Sequence, residues 1–138
     1  MMGRNLRQRF QDDGIDLPLE QWAILVQLWL KDGQTQQQLA EQIFRDKGTT
    51  TRAIDELEKR GWLFRQIDPA DRRHNRIFLT PSGSDIQPRL VNIALHLAQD
   101  ASAGLTAEEL DTCKHVLRRI HDNLQDSAFL KIENCNHE

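Results

Sequence analysis

Asp46-Lys47-Gly48-Thr49-Thr50-Thr51-Arg52-Ala53-Ile54-Asp55-Glu56-Leu57-Glu58-Lys59-Arg60-Gly61 is the stretch that decides the fold. Asp46 is an N-cap residue, Thr50, Ile54 and Leu57 recur at core spacing, and Gly61 supplies a stop. The segment therefore reads as a helix from about Lys47 to Arg60. Upstream, Thr35 with Gln38 three residues later forms a capping box. It opens a short helix whose Leu39, Ala40, Ile43 and Phe44 face inward. Downstream the period changes. Trp62 to Ile67 and Arg76 to Thr80 are rich in aromatic and β-branched residues, and Asp68-Pro69-Ala70-Asp71-Arg72-Arg73-His74-Asn75 between them is polar. This predicts a two-stranded hairpin with a long charged loop, its start stiffened by Asp68-Pro69. Two short helices followed directly by a hairpin make a winged helix-turn-helix plan, here spanning residues 18–83.

The flanks are helical. Asn5 to Gln11 reads as a short helix stopping at Asp12-Asp13-Gly14. Pro18 precedes a helix with Trp22, Leu25, Val26, Leu28 and Trp29 on a broad stripe and Asp32-Gly33 as its stop. Thr80-Pro81 starts another, running through Leu90, Ile93 and Leu97 toward Ala101, with a kink or delayed start at Pro88. Gly104 breaks the chain. Thr106 with Glu109 is a second capping box, and it opens a final helix with Leu110, Cys113, Val116, Leu117, Ile120 and Leu124 inward. The tail from Lys131 reads as frayed. The predicted fold class is mainly α with a small β-hairpin wing, as one domain over residues 1–138.

A chain of 138 residues supports one hydrophobic core. With 28% charged and 38% hydrophobic residues it has the composition of a soluble globular protein. The longest nearly apolar run, Trp22 to Leu30, is too short to span a bilayer, and the charged amphipathic start carries no secretory pattern. No membrane partner and a cytoplasmic location are expected. Cys113 and Cys135 make no disulfide framework and are read as reduced. The formal charge is −3, but residues 34–83 hold nine basic residues against seven acidic ones, while the flanks are net acidic. A basic middle in an acidic chain points to a polyanionic partner.

The predicted second helix leaves Lys47, Gly48, Thr49, Thr51, Arg52, Asp55 and Glu56 pointing outward. Such a helix fits the major groove of DNA. Its free N–H groups and Lys47 suit phosphates, and Gly48 lets the backbone come close. Thr49 and Thr51 can meet phosphate, a base edge or a thymine methyl, and Arg52 can take guanine O6 and N7 together. Thr35 and Gln36, at the start of the preceding helix, complete the expected contacts there. Arg72 and Arg73 on the hairpin loop gain in a narrow minor groove what they cannot gain in water, with Asp71 placed to orient one of them. Enzyme patterns are missing: there is no Gly-rich phosphate loop, His-Glu-x-x-His helix or Gly-x-Ser-x-Gly elbow. The pairs Cys113/His115 and Cys135/His137 read as a structural cysteine beside a solvated histidine, so no metal, cofactor or catalytic residue is expected. His74 reads as a phosphate donor, and His96 and His121 as surface or interface residues. The competing reading is a winged-helix protein-interaction adaptor that does not bind DNA.

Gln34-Thr35-Gln36-Gln37-Gln38-Leu39-Ala40, Asp46 to Gly61, Asp68-Pro69-Ala70-Asp71-Arg72-Arg73 and Ile77-Phe78-Leu79-Thr80-Pro81-Ser82-Gly83 together resemble the MarR family of bacterial transcriptional regulators. The resemblance covers Gly14 to Gly83 closely and the outer helices by pattern. It implies a homodimer built by the first and last helices, here residues 1–17 and 84–138, that binds pseudo-palindromic DNA and usually loses affinity on binding a small effector. By the same resemblance Arg73 is the minor-groove residue, supported by Asp71. An effector site between the dimer helices and the winged region would use Phe10, Trp22 and Trp29. Three departures stand out: a first helix shorter than the family's, Glu56 where a basic or neutral residue is common, and no cysteine before Cys113. Reading two half-sites also requires two modules about 34 Å apart. The apolar stripes of the terminal helices, Leu6, Phe10, Leu90, Ile93, Leu97, Val116, Leu117, Ile120 and Leu124, are expected to divide between the dimer joint and the core.

Overall fold

The structure, a computed structural model, describes residues 2–70 and 75–136, with side chains described within 4–70 and 75–124. In chain order come α1 (Met2–Asp12), α2 (Leu19–Leu30), β1 (Gln34–Thr35), α3 (Gln36–Ile43), α4 (Lys47–Lys59), β2 (Leu63–Ile67), β3 (Asn75–Leu79), α5 (Pro81–Asp85), α6 (Gln87–Ala101) and α7 (Ala107–Asn136). They form two compact units, residues 1–97 and 98–138.

The first unit is built around α2 and α4. Ile24, Leu25 and Leu28 of α2 and Thr50, Ala53, Ile54 and Leu57 of α4 are buried, joined by Phe10, Leu17, Leu39, Leu63, Ile77 and Leu90. The one polar side chain of the α4 face is satisfied locally, because Thr50 Oγ1 donates to Asp46 O at 2.8 Å. Gly61, at φ +79, turns the chain out of α4 into β2. Thr80 caps α5 by accepting from Gly83 N–H, with Pro81 in the first turn. Pro88 is the second residue of α6, where no helical N–H is needed, so the delayed start is the one realised.

The sheet has three strands, in the order β1-β3-β2, rather than the two of a simple hairpin. Gln34 pairs with Ile77 and Thr35 with Arg76. Two residues are too few to show alternation, so this strand is silent in the sequence. The buried Gln34 side chain turns back and donates to Gln27 O at 2.9 Å and Lys31 O at 2.8 Å, satisfying the carbonyl end of α2. One residue thus closes a helix with its side chain and opens the sheet with its backbone.

Two inward expectations are corrected. Phe44 does not join Leu39 in the core: it is 88% exposed. Helix α3 ends at Ile43, and Phe44 adopts φ +56, which carries its side chain off the helical stripe. On α7, Cys113, Val116, Leu117, Ile120 and Leu124 are exposed, and Leu110 alone of the stripe is half-buried. The helix also continues to Asn136 where fraying was expected from Lys131, since no Gly or Pro interrupts residues 107–136. Its capping box forms as read, Thr106 Oγ1 accepting from Glu109 N–H and Glu109 Oε1 from Thr106 N–H.

Gly83 is fixed by contact. A Cβ there would lie 1.9 Å from Trp62 O, and Gly83 O accepts from Trp29 Nε1 at 3.0 Å. Gly83→Ala is therefore expected to cost about 2 kcal/mol or more in urea unfolding. Gly48→Ala, whose Cβ would meet only Asp46 Oδ1 at 3.7 Å, should be neutral or stabilising in the same measurement.

Candidate nucleic-acid interface

The buried face of α4 dictates what its other face presents. With Thr50, Ala53, Ile54 and Leu57 inward, Gly48, Arg52 and Asp55 follow one another along the outer side, flanked by Thr49 and Glu56 on one edge and Thr51 and Glu58 on the other. Asp46 fixes the start of the helix by accepting from Thr49 N–H at 2.6 Å. The amides of Lys47 and Gly48 lie ahead of that bond, at positions where a helical N–H has no carbonyl to reach. Lys47, Gly48 and Arg52 are exposed, and Arg52 lies 3.4 Å from Thr49 Oγ1.

The four other helix-start residues named from sequence divide by what their polar atoms already do. Thr35 and Gln38 form the reciprocal capping box of α3, at 3.1 and 2.9 Å, leaving the Thr35 O–H to donate elsewhere. Gln36 Nε2 donates to Thr51 Oγ1, and that hydroxyl donates to Lys47 O at 2.7 Å. Gln36 and Thr51 thus tie α3 to α4, and Thr51 offers less to an outside partner than its position suggests. Thr49 remains at the outer edge. Asp71, Arg72 and Arg73, together with His74, lie outside the described residues. Within the described base of the wing, Asp68 Oδ1 accepts from Ala70 N–H at 2.9 Å, which stiffens the loop where Asp68-Pro69 was expected to, and Asp68 lies 3.4 Å from Arg76.

Sequence reasoning missed Arg65. From β2 its guanidinium reaches Asp55 at 2.5 Å and Glu58 at 2.6 Å, neutralising two of the three carboxylates on the second half of α4. The third, Glu56, meets Lys59 at 3.3 Å. A lone arginine in a strand following a helix with carboxylates three apart was the available signal. Arg60 holds the other end of α4, donating to Asp16 O and lying 5.2 Å over the Trp62 ring. The aromatic residues expected at an effector site do gather: Phe10 and Trp22 are 5.4 Å apart and Trp22 and Trp29 5.7 Å. Trp22 and Trp29 line a shallow groove of about 330 Å³ with Val26, Val91 and Leu95, whereas Phe10 is fully buried against Trp22 and does not line it. Among the described residues no cluster of His, Cys, Asp or Glu is arranged to hold a metal ion, and no helix is long and apolar enough to cross a membrane.

The model of the MarR family matches residues 17–74, the helix-turn-helix and most of the wing. The HTH-type transcriptional regulator YybA of Bacillus subtilis, itself described as uncharacterized, is 32% identical over 85% of this chain and 79% of its own length. The chain belongs to the MarR family. As a MarR-family transcriptional regulator it also resembles solved members: a regulator titled SlyA, at 29% identity and a TM-score of 0.79, with 92% of this chain and 91% of that one covered. A mutant MarR of E. coli, in a crystal structure titled as complexed with operator DNA, gives 26% identity and a TM-score of 0.75, covering 86% and 84%.

The cap of α4 carries a pH dependence. The Thr49 backbone N–H, and then its hydroxyl, hold the Asp46 carboxyl below its ordinary 3.8. A carboxyl lowered on folding stabilises fully above the unfolded value, and the contribution is lost as pH falls through the folded one. Thermal melting of wild type and Asp46→Asn should therefore differ most above pH ~4 and converge on acidification below it.

Proposed function

We propose that this protein is a homodimeric, sequence-specific repressor that grips pseudo-palindromic double-stranded DNA in the cytoplasm and is released by a small-molecule effector. The observation that carries the reading is the division of labour on α4: an inner face sealed in the core, and a capped outer start bearing Lys47, Gly48, Thr49 and Arg52. Lys47 and the first amides take phosphate, and Arg52 reads a base edge. Thr35 supports the backbone beside them, Gln36 and Thr51 hold α3 and α4 in register, and Arg72 and Arg73 with Asp71 serve the neighbouring minor groove. The family resemblance and the operator complex of the E. coli relative support the same partner.

The joint between copies falls on α7. Val116, Leu117, Ile120 and Leu124 form a stripe 46–65% exposed, the kind of surface that marks an association site. Leu6, Phe10, Leu90 and Leu97 are buried within the single chain, so they serve the core, and Ile93 packs half-buried against it. Two-fold pairing of such a stripe presents two α4 helices to two half-sites. The effector's place is the groove of Trp22 and Trp29, with Phe10 buried behind Trp22.

Three measurements test this. Anisotropy titrations of labelled duplex against salt should show salt-dependent binding by wild type. Lys47→Ala should lower the slope of log K against log salt by about one with an unchanged melting temperature. Absence of salt-dependent duplex binding, with or without candidate ligands, would return the adaptor reading. Leu117→Glu should sediment as monomer at concentrations where wild type is a dimer, and bind the duplex at least about tenfold more weakly.

A further inference from the structure

Phe44 is used neither by the core nor by the interface described above. It is 88% exposed, and it is the one non-glycine among the described residues in the left-handed region, at φ +56. Its N–H closes α3 by donating toward Ala40 O and Glu41 O, a backbone role that glycine fills without steric strain. A phenylalanine in this position combines a strained backbone with a ring that the described residues leave uncovered.

The ring lines a groove of about 770 Å³ together with Gln36 at the start of α3, Lys47 at the start of α4 and Asn75 at the base of the wing. In the proposed docking, with α4 in a major groove and the wing toward the minor groove beside it, these three elements lie along the sugar–phosphate strand between the two. The groove thus adjoins the proposed DNA-facing surface and shares Lys47 with it. Two cations also line the groove, Arg45, which lies 3.6 Å from Glu20, and Lys47. Among the described residues its one carboxylate is Glu41, which has the Gln37 amide at 3.5 Å. Small side chains would leave the hollow polar; the phenyl ring gives it an apolar wall, matched to deoxyribose carbons.

Resting on the proposed function, we infer that this groove seats one strand of the duplex backbone and that Phe44 packs against its deoxyribose carbons. The contact adds affinity without reading sequence and without neutralising a phosphate.

The test uses Phe44→Gly and Phe44→Asn, both of which accept the left-handed backbone. Binding is measured across salt concentrations on a duplex that the wild-type chain selects from a random pool, and on an unrelated duplex. Both variants should melt at or above the wild-type temperature and yet bind both duplexes about five- to tenfold more weakly, with an unchanged salt slope. Stability and affinity moving in opposite directions is a result that a purely structural role for the ring would not give. Unchanged affinity overturns the inference. So does a fall in the salt slope, which would place the effect on Lys47, and so does a loss confined to the selected duplex or a change in sedimentation. If wild type selects and binds no duplex at all, the proposed function itself fails, and that outcome is separate from a failure of Phe44 alone.

Discussion

The burial of one face of α4 is the constraint from which the rest of the structure follows. Thr50, Ala53, Ile54 and Leu57 leave no freedom in the rotation of the helix, since a turn of even one residue would expose Ile54 or bury a charge. Everything that approaches another molecule is therefore decided by what the core requires. The outward residues need no support of their own to be aimed correctly; the helix aims them. A rigid element carrying contact residues also spares the ordering cost that a loop would incur on binding.

The polar contacts around α4 then set its tilt and its charge. Asp46 holds the first turn, the Gln36–Thr51 pair holds it to α3, Arg65 ties it to β2 and Arg60 ties its end to the α1–α2 connection. Three of these come from the neighbours in the fold rather than from the helix itself. Arg65 has a second effect. Without it Asp55 and Glu58 would present two bare carboxylates on the element meant to approach a polyanion. With it, the positive start of α4 dominates its field.

The sequence made α4, its cap, its stop and the two capping boxes legible, because each rests on local chemistry within four residues. The winged plan was legible for the same reason, from a change of period at Gly61. What stayed hidden was non-local or too short to show a period. Gln34 pairs with a strand more than forty residues away and works through its side chain on a helix that precedes it. Phe44 carries the right residue type for a core stripe, and only the backbone turn at the end of α3 takes it out. The stripe on α7 was visible as apolar but not as uncovered, since spacing shows which residues share a face and not what lies against it. Among the outward polar residues, the sequence could place Thr51 on the surface but not show that its hydroxyl is already committed to Gln36 and Lys47. Asp71, Arg72 and Arg73 remain an inference from residue type and resemblance.

The indole chemistry has a practical consequence. The chain contains three tryptophans and no tyrosine, so its near-ultraviolet emission comes from Trp22, Trp29 and Trp62 alone. Two of these rings form an edge-on pair in the aromatic groove, one of them hydrogen-bonded to Gly83, and the third lies beneath a guanidinium at the end of α4. The molecule therefore carries unlabelled optical probes in the aromatic groove and at the far end of α4, and replacing Trp62 by phenylalanine separates the two signals.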